Sequence, residues 1–175
     1  MEQPYKSLET SIKIIKSIIT ALEKNVIKAG EGVDKKTISL TSRIIQLLEK
    51  ISIIYDNLLK RVEEVSDNVI ELTQNIYLFR TPREIVLLNT KPEHVALVYN
   101  HEENSISLRS RVGRLEFTSN SMIVESRGIS LKISPLVATT LSKHKDEMRI
   151  VLKYFEKIVY NKLLPSVEKR IVKKL

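Results

Sequence analysis

Apolar side chains near the amino terminus recur at alternating spacings of four and three residues. Such a heptad repeat places the apolar side chains along one face of an α-helix. Ser7 is a suitable N-cap, and Gly30 can end the helix in a left-handed conformation. The pattern predicts a first helix from about Ser7 to Ala29, with its apolar positions at Leu8, Ile12, Ile15, Ile19, Leu22 and Val26.

A second apolar series with the same spacing follows, and it is much longer. It runs from Ile44 to Phe79, and no proline or glycine interrupts residues 33–81. The pattern predicts one helix from about Thr37 to Arg80, on the order of 65 Å long. The loop at Gly30 is short, so the two helices should fold back on each other as a long antiparallel coiled-coil hairpin.

The first predicted helix can cover only about half of the second, so the rest of the apolar seam needs another partner. Either a carboxy-terminal helix that begins at Ser134 and Pro135, or a second copy of the chain, could cover it. Charge favours the carboxy-terminal helix, because that helix is basic and the distal half of the second helix is acidic. We expect a three-helix core with an additional self-association seam, which comprises Val62, Val65, Val69, Leu72, Ile76 and Phe79.

The spacing of apolar residues changes from helical to alternating after Thr81. Short alternating runs at 94–99, 105–111, 114–118, 121–126 and 129–134 are separated by turn residues, which predicts an antiparallel meander of four or five strands. The preceding segment Thr81-Pro82-Arg83-Glu84 has the pattern of a capping box, so it predicts a short helix through about Leu88. Residues 85–88 are apolar and partly β-branched, so they could instead begin the sheet.

Together these patterns predict a mainly α-helical α+β fold. Residues 1–81 would form the long helical hairpin, and residues 82–134 would form a small β-meander inserted between the helices. Residues 135–175 would form a basic carboxy-terminal helix that packs back on the hairpin, with Pro165 restarting a final turn or short helix.

The composition excludes cysteine chemistry, and the sequence argues against secretion and membrane insertion. The chain of 175 residues has no cysteine, which excludes disulfides, cysteine-ligated zinc and thiol catalysis. It shows no signal-peptide pattern and no apolar run near the roughly 20 residues that a membrane span needs, so we expect a cytoplasmic protein without a membrane partner. Abundant Ile, Lys and Glu fit a thermophilic source, and an AT-rich genome fits equally well.

No catalytic, metal-binding, cofactor or small-molecule site is visible in the sequence. The segment 30–37 is similar to a phosphate-binding loop, but Lys35 stands where that motif needs glycine and a helix precedes it, so a helix–helix turn is the better interpretation. His101, Glu102 and Glu103 are adjacent residues of a predicted turn and would point in different directions, so they do not predict a metal site.

The net charge of +8 is concentrated near the carboxy terminus. Residues 135–175 carry 10 basic and 4 acidic side chains, whereas residues 1–80 carry 12 and 11. Basic clusters bind phosphate backbones through counterion release. The predicted sheet lacks the aromatic platform of single-strand RNA-binding domains, and no helix-turn-helix pattern is evident. The candidate nucleic-acid-binding residues are Arg109, Arg111, Arg114, Arg127, Lys132, Lys169, Arg170, Lys173 and Lys174.

The sequence favours a non-enzymatic assembly or adaptor protein. Such a protein would form homo-oligomers or bind a protein partner through its coiled-coil seam and its β insert. The alternative is an accessory subunit of a nucleic-acid-handling complex that binds phosphates through the basic residues of the insert and the carboxy terminus.

Overall fold

A computed structural model of the chain describes residues 4–28, 35–59, 69–118, 121–126, 128–134 and 141–173, and near some helix ends it describes only the backbone. Two helices come first, α1 (Pro4–Lys28) and α2 (Lys35–Leu59). Eight β-strands follow. A carboxy-terminal helical region ends the described chain, and it consists of α3 (Lys145–Ile158), a π-helical segment (Val159–Leu163) and α4 (Leu164–Lys173). The described part of the chain therefore has an α+β architecture in which the sheet is a major component.

The long coiled-coil hairpin predicted from the heptad spacing is wrong. Helix α2 is described as far as Leu59, and Ile70 begins the first of eight strands where the prediction had one continuous helix. Helix α2 also buries neighbouring positions, such as Leu47 with Leu48 and Ile54 with Tyr55, so its apolar face is wider than the narrow seam of a coiled coil. Helix α2 contacts α1 and also α3 and α4. The helix is thus a central core element of the fold.

The eight strands form one antiparallel sheet in which each strand pairs with the next along the chain. The prediction of a small insert of four or five strands is wrong, because three further strands precede it in the same sheet. Its predicted strands nonetheless match β4 to β8 closely. The strands are β1 (Ile70–Thr73), β2 (Ile76–Arg80), β3 (Glu84–Asn89), β4 (Val95–Asn100), β5 (Ser105–Ser110), β6 (Gly113–Phe117), β7 (Met122–Ser126) and β8 (Ile129–Ile133).

The short helix predicted at Thr81 is also wrong, although the capping chemistry is present. The Thr81 hydroxyl accepts hydrogen bonds from the backbone N–H groups of Arg83 at 3.3 Å and Glu84 at 3.0 Å. These bonds close the turn between β2 and β3 instead of opening a helix. Residues 85–88 are in a strand, as the alternative interpretation held, but they belong to β3 and do not begin the sheet, because β1 and β2 precede them.

One face of the sheet is apolar and packs on the helices. The strand register places Leu97 opposite Leu108, Leu108 opposite Leu115, and Leu115 opposite Val124, so the same face continues from strand to strand. These residues belong to one hydrophobic core with α1, α2, α3 and α4. We refer to this face as the inner face and to the opposite one as the outer face.

The carboxy-terminal helical region packs on both α2 and the sheet. It contacts α2 along α3 and α4, and it contacts strands β1, β3, β6 and β7. The backbone N–H of Leu164 donates to the carbonyl of Val159, five residues earlier, which is the π-helical pattern. Pro165 lacks an N–H and would crowd the carbonyl four residues before it, so the wider π turn gives its ring room. In the described residues, no helix combines the length and the hydropathy that a membrane span requires.

Candidate anion-binding cleft

The amino-terminal turns of α2 present polar and basic side chains to solvent. Lys35, Lys36 and Ser39 are all exposed, and the first turn contains no acidic residue. Positive side chains at this end of a helix are disfavoured by the helix dipole. The two lysines therefore do not contribute favourably to the electrostatics of α2 itself.

Helix α3 brings a second set of cations to the same place. Arg149 and Lys153 lie one helical turn apart, so their side chains project from one side of the helix, and both are exposed. Ile150, next to Arg149, is 74% exposed, which is the highest exposure among the large apolar side chains of the described residues.

Arg43 of α2 and Glu156 of α3 hold the two helices together at this place. The Nε of Arg43 donates to Oε2 of Glu156 at 3.3 Å, and Nη2 of Arg43 donates to Oε1. The pKa of Arg43 is raised, mainly by its hydrogen bond to Glu156, and burial opposes the increase. The charge of Arg43 is matched by Glu156, so Arg43 positions the helices and does not add to the free positive charge.

A groove runs between the start of α2 and the exposed side of α3. One part, with a volume of about 240 Å³, is lined by α2 residues and by Arg149. The adjoining part, of about 280 Å³, is lined mainly by α3 residues. Both parts share Arg43 and Arg149 in their linings, so they lie side by side. We call the two parts together the basic cleft, and its lining residues are Lys35, Lys36, Ser39, Leu40, Arg43, Asp146, Arg149, Ile150 and Lys153.

The basic cleft carries a clear excess of positive charge. Apart from the Arg43–Glu156 pair, its lining contains four cations and one carboxylate, that of Asp146. The cations come from two helices that are far apart in the sequence, and the tertiary fold brings them to one surface. The arrangement can attract and hold an anion by charge and by hydrogen bonds from ammonium and guanidinium groups.

The sheet arginines that the sequence nominated have a different environment. Arg109 pairs with Glu84 at 3.1 Å, and Arg114 pairs with Glu125 at 3.0 Å. Arg114 also lies 3.8 Å from a carboxylate oxygen of Glu116. These ion pairs offset the positive charge of the outer face, so Arg109 and Arg114 are less available to an external phosphate.

Arg111 and Lys132 are exposed, but the fold does not place them in the basic cleft. Arg111 lines a shallow depression of about 610 Å³ at the ends of β5 to β8, together with Arg109, Arg114 and Glu125. Lys132 lies on β8, opposite Ile123. The remaining nominated residues lie outside the part of the chain whose side chains are described, and they are Arg127, Lys169, Arg170, Lys173 and Lys174.

The residues of the predicted self-association seam are not aligned on one helix. Leu72 and Ile76 are buried in the core as parts of β1 and β2, and Phe79 is partly buried in β2. Val69 precedes β1 and is 62% exposed. Val62 and Val65 lie outside the described residues. Since β1 and β2 use the seam's central positions for the core, no coiled-coil seam is available there.

Sequence reasoning missed the basic cleft, because it assigned each set of cations another role. In the sequence, Lys35 and Lys36 belong to a segment that fits a helix–helix turn. Arg149 and Lys153 belong to the basic carboxy-terminal helix, which the charges predict to pair with an acidic helix. The available signal was the absence of an acidic residue in the first turn of α2. A helix start that violates the dipole preference is an indication of a binding role.

Within the described residues, no group of three or more His, Asp or Glu side chains is arranged to bind a metal ion. His101 instead contacts the backbone carbonyl of Pro82 through Nε2 at 2.7 Å, and Glu102 lies 3.5 Å from Arg83. These contacts tie the β4–β5 turn to the β2–β3 turn. They are structural contacts between neighbouring loops.

Comparisons with protein-family models, with curated proteins and with solved structures gave no match.

Proposed function

We propose that the protein is a non-enzymatic binding protein that holds the phosphate backbone of duplex nucleic acid in the basic cleft. The observation that carries this proposal is the convergence of Lys35 and Lys36 with Arg149 and Lys153 on one groove. The two-point Arg43–Glu156 pair supports it, because it fixes the position of one helix relative to the other.

The open shape of the groove favours an extended ligand over an enclosed small molecule. Its two parts measure about 240 and 280 Å³ and are open to solvent. Sites for small organic ligands are usually concave enough to bury most of the ligand's surface. A shallow basic groove suits a polyanion that lies across it and exposes successive phosphates to the cations.

The lining of the groove favours a duplex over a single strand. No Phe, Tyr or His is among the residues that line it. Proteins that bind single strands combine positive charge with aromatic side chains on which the bases stack. A groove with cations alone contacts phosphates and carries no direct information about sequence, so we expect binding to duplexes of any sequence.

The direct test is fluorescence anisotropy with a labelled duplex at low salt. The cleft variant combines four substitutions, Lys35→Gln, Lys36→Gln, Arg149→Gln and Lys153→Gln. We expect it to lose affinity on the order of a hundredfold, because four phosphate contacts are removed. The same strand without its complement should bind no more tightly than the duplex.

A control variant with the same loss of charge separates the cleft from general electrostatic attraction. It combines Lys13→Gln, Lys16→Gln, Lys24→Gln and Lys91→Gln, all at exposed positions outside the cleft. We expect its affinity to fall by no more than about threefold, through long-range charge alone. Equal losses in the two variants would contradict the proposal.

A further inference from the structure

The two edges of the sheet differ in how they are protected. At the first edge, the pairing of β1 is interrupted by a register shift between Glu71 and Thr73, and α4 packs against the strand. At the last edge, β8 pairs with β7 in unbroken register from Ser126↔Ile129 to Met122↔Ile133. Within the described residues, no strand pairs with the other side of β8. The β8 edge is thus regular and open.

Side chains do little to block this edge. Natural proteins usually protect edge strands with bulges, proline, inward-pointing charges or lysine side chains. Of these devices, strand β8 carries a single lysine, Lys132. Ile129 is 42% exposed and Leu131 is partly exposed, although both lie in register with residues of the apolar inner face. The inner face therefore continues to the edge without a covering element in the described chain.

The backbone of β8 presents hydrogen-bonding groups outward at two positions. Two residues separate Ser126 from Ile129, so this pair closes a tight hairpin and is hydrogen-bonded. Hydrogen-bonded and non-hydrogen-bonded pairs alternate along an antiparallel ladder. The N–H and C=O groups of Ile129 and Leu131 consequently point toward β7, whereas those of Ser130 and Lys132 point away from the sheet.

We propose that β8 pairs with β8 of a second copy of this chain, in antiparallel orientation with Leu131 opposite Leu131. The two sheets would then continue into one another across a twofold axis. Ser130 and Lys132 would exchange backbone hydrogen bonds with Lys132 and Ser130 of the second copy. This inference does not depend on the basic cleft.

The sequence of β8, Ile-Ser-Leu-Lys-Ile, favours a second copy over a foreign strand because it is complementary to itself. In the proposed register Ile129 lies opposite Ile133 of the second copy, so all apolar side chains stay on the inner face. Each Lys132 lies directly opposite a serine, and no like charges are directly paired. The register also covers the exposed Ile129.

Sedimentation velocity over a range of protein concentrations tests the association, and substitutions at Ser130 test its register. Ser130→Lys places a lysine opposite Lys132 in both halves of the dimer, so the dimer should weaken about tenfold. Ser130→Glu places a carboxylate there and should strengthen the dimer by a similar factor. Ser130 is exposed and lies opposite Glu125 of β7 in the same chain, so a denaturant titration of each variant should accompany the sedimentation and separate any change in folding from the change in association.

A disulfide provides a second and independent test, because the chain contains no cysteine. Leu131 meets its own copy at a non-hydrogen-bonded pair, where Cα atoms are about 4.5 Å apart, a distance that a disulfide can span. Leu131→Cys should therefore form a covalent dimer under mild oxidation. Ile129→Cys is the matched control, because its own copy would lie about four residues further along the ladder.

The two tests together decide the proposal. It is supported if the wild-type chain dimerises, the two Ser130 variants shift the dimer in opposite directions, and Leu131→Cys cross-links faster than Ile129→Cys. A wild-type monomer at all concentrations would overturn it. Dimerisation that neither Ser130 variant alters, or equal cross-linking of the two cysteine variants, would overturn it as well.

Discussion

Arg43 and Glu156 form a two-point ion pair although they lie 113 residues apart in the sequence. The pair joins α2 to α3 at the floor of the basic cleft, and its side chains are only 29% and 15% exposed. It fixes the helix crossing that brings Lys35 and Lys36 near Arg149, and it neutralises one arginine within the groove. Replacing Glu156 by a neutral side chain that still accepts a hydrogen bond should therefore keep the helix crossing, lower stability and leave Arg43 with a free positive charge.

Glu156→Gln should lower the free energy of unfolding and raise the affinity for duplex nucleic acid. The charge-assisted bonds to Arg43 become weaker, which should cost about 1–2 kcal/mol in a denaturant titration. Arg43 then keeps its positive charge unmatched in the cleft, so the anisotropy titration should show tighter binding. Glu147→Gln, an equal charge change at an exposed position of α3 outside the cleft, is the control. Weaker binding by Glu156→Gln than by this control would contradict the role assigned to Arg43.

Tyr55 of α2 meets Tyr99 of β4 edge to face, with ring centroids 6.5 Å apart. Among the described residues, the buried Tyr55 hydroxyl has no hydrogen-bond partner, and burial raises the pKa of this tyrosine far above its ordinary value. Tyr55→Phe should keep the ring contact and remove the buried hydroxyl, so it should leave stability at neutral pH unchanged or raise it by about 1 kcal/mol. Tyr99→Phe should lower stability, because the Tyr99 hydroxyl donates to Asn104 at 3.2 Å.

The raised pKa of Tyr55 also predicts a pH dependence. The folded state keeps the Tyr55 proton at pH values where the unfolded chain releases it. The stability associated with this group is complete below the ordinary tyrosine pKa of about 10 and is lost as the pH rises further, by up to about 1.4 kcal/mol per pH unit. Denaturant titrations above that pH should show a smaller loss for Tyr55→Phe than for the wild type. Parallel losses would show that Tyr55 ionises in the folded state.

Thr81 tests whether a capping motif can stabilise a β-turn. Thr81→Ala removes the acceptor for the N–H groups of Arg83 and Glu84, and it should lower the free energy of unfolding by about 1 kcal/mol. Thr81→Ser keeps the hydroxyl and should recover most of that loss. Equal destabilisation by alanine and serine would indicate that the methyl group of Thr81, and not its hydroxyl, stabilises the turn.

Strands β4 to β8 could be predicted from the sequence, because the alternation of apolar residues, the turn residues and the strand lengths all indicate the same strands. Strands β1 and β2 could not, because their apolar residues also fit a heptad spacing and no glycine or proline separates them. Asn75 takes the place that glycine often has in such a turn, with a positive φ of 70°. The Gln74-Asn75 pair between two β-branched and aromatic runs was the local signal for a hairpin.

The basic cleft could not be predicted from the sequence for a different reason. Its two walls belong to α2 and α3, which become neighbours only through tertiary packing. No local sequence pattern specifies how these two helices cross. The same limit applies to the sheet arginines. Their basic character was visible in the sequence, but the register that pairs Arg114 with Glu125 was not.

That register leads to a prediction about the outer face. Arg114→Gln should lower the free energy of unfolding by about 1 kcal/mol, because it removes a partly buried ion pair with Glu125. Arg111→Gln, at an exposed neighbouring position, should leave stability unchanged. Both variants should bind duplex nucleic acid nearly as well as the wild type, since neither residue lines the basic cleft. A large loss of affinity in either variant would move the binding surface to the sheet.

The salt dependence of duplex binding tests the proposed role of the basic cleft most directly. The slope of log K against log salt concentration is about −0.9 for each phosphate contact on a duplex. If each of the four cleft cations contacts one phosphate, the slope of the cleft variant should be less steep than that of the wild type by about 3 to 4, and the control variant should keep the wild-type slope. A cleft variant whose slope equals that of the wild type would show that these four cations do not contact the nucleic acid.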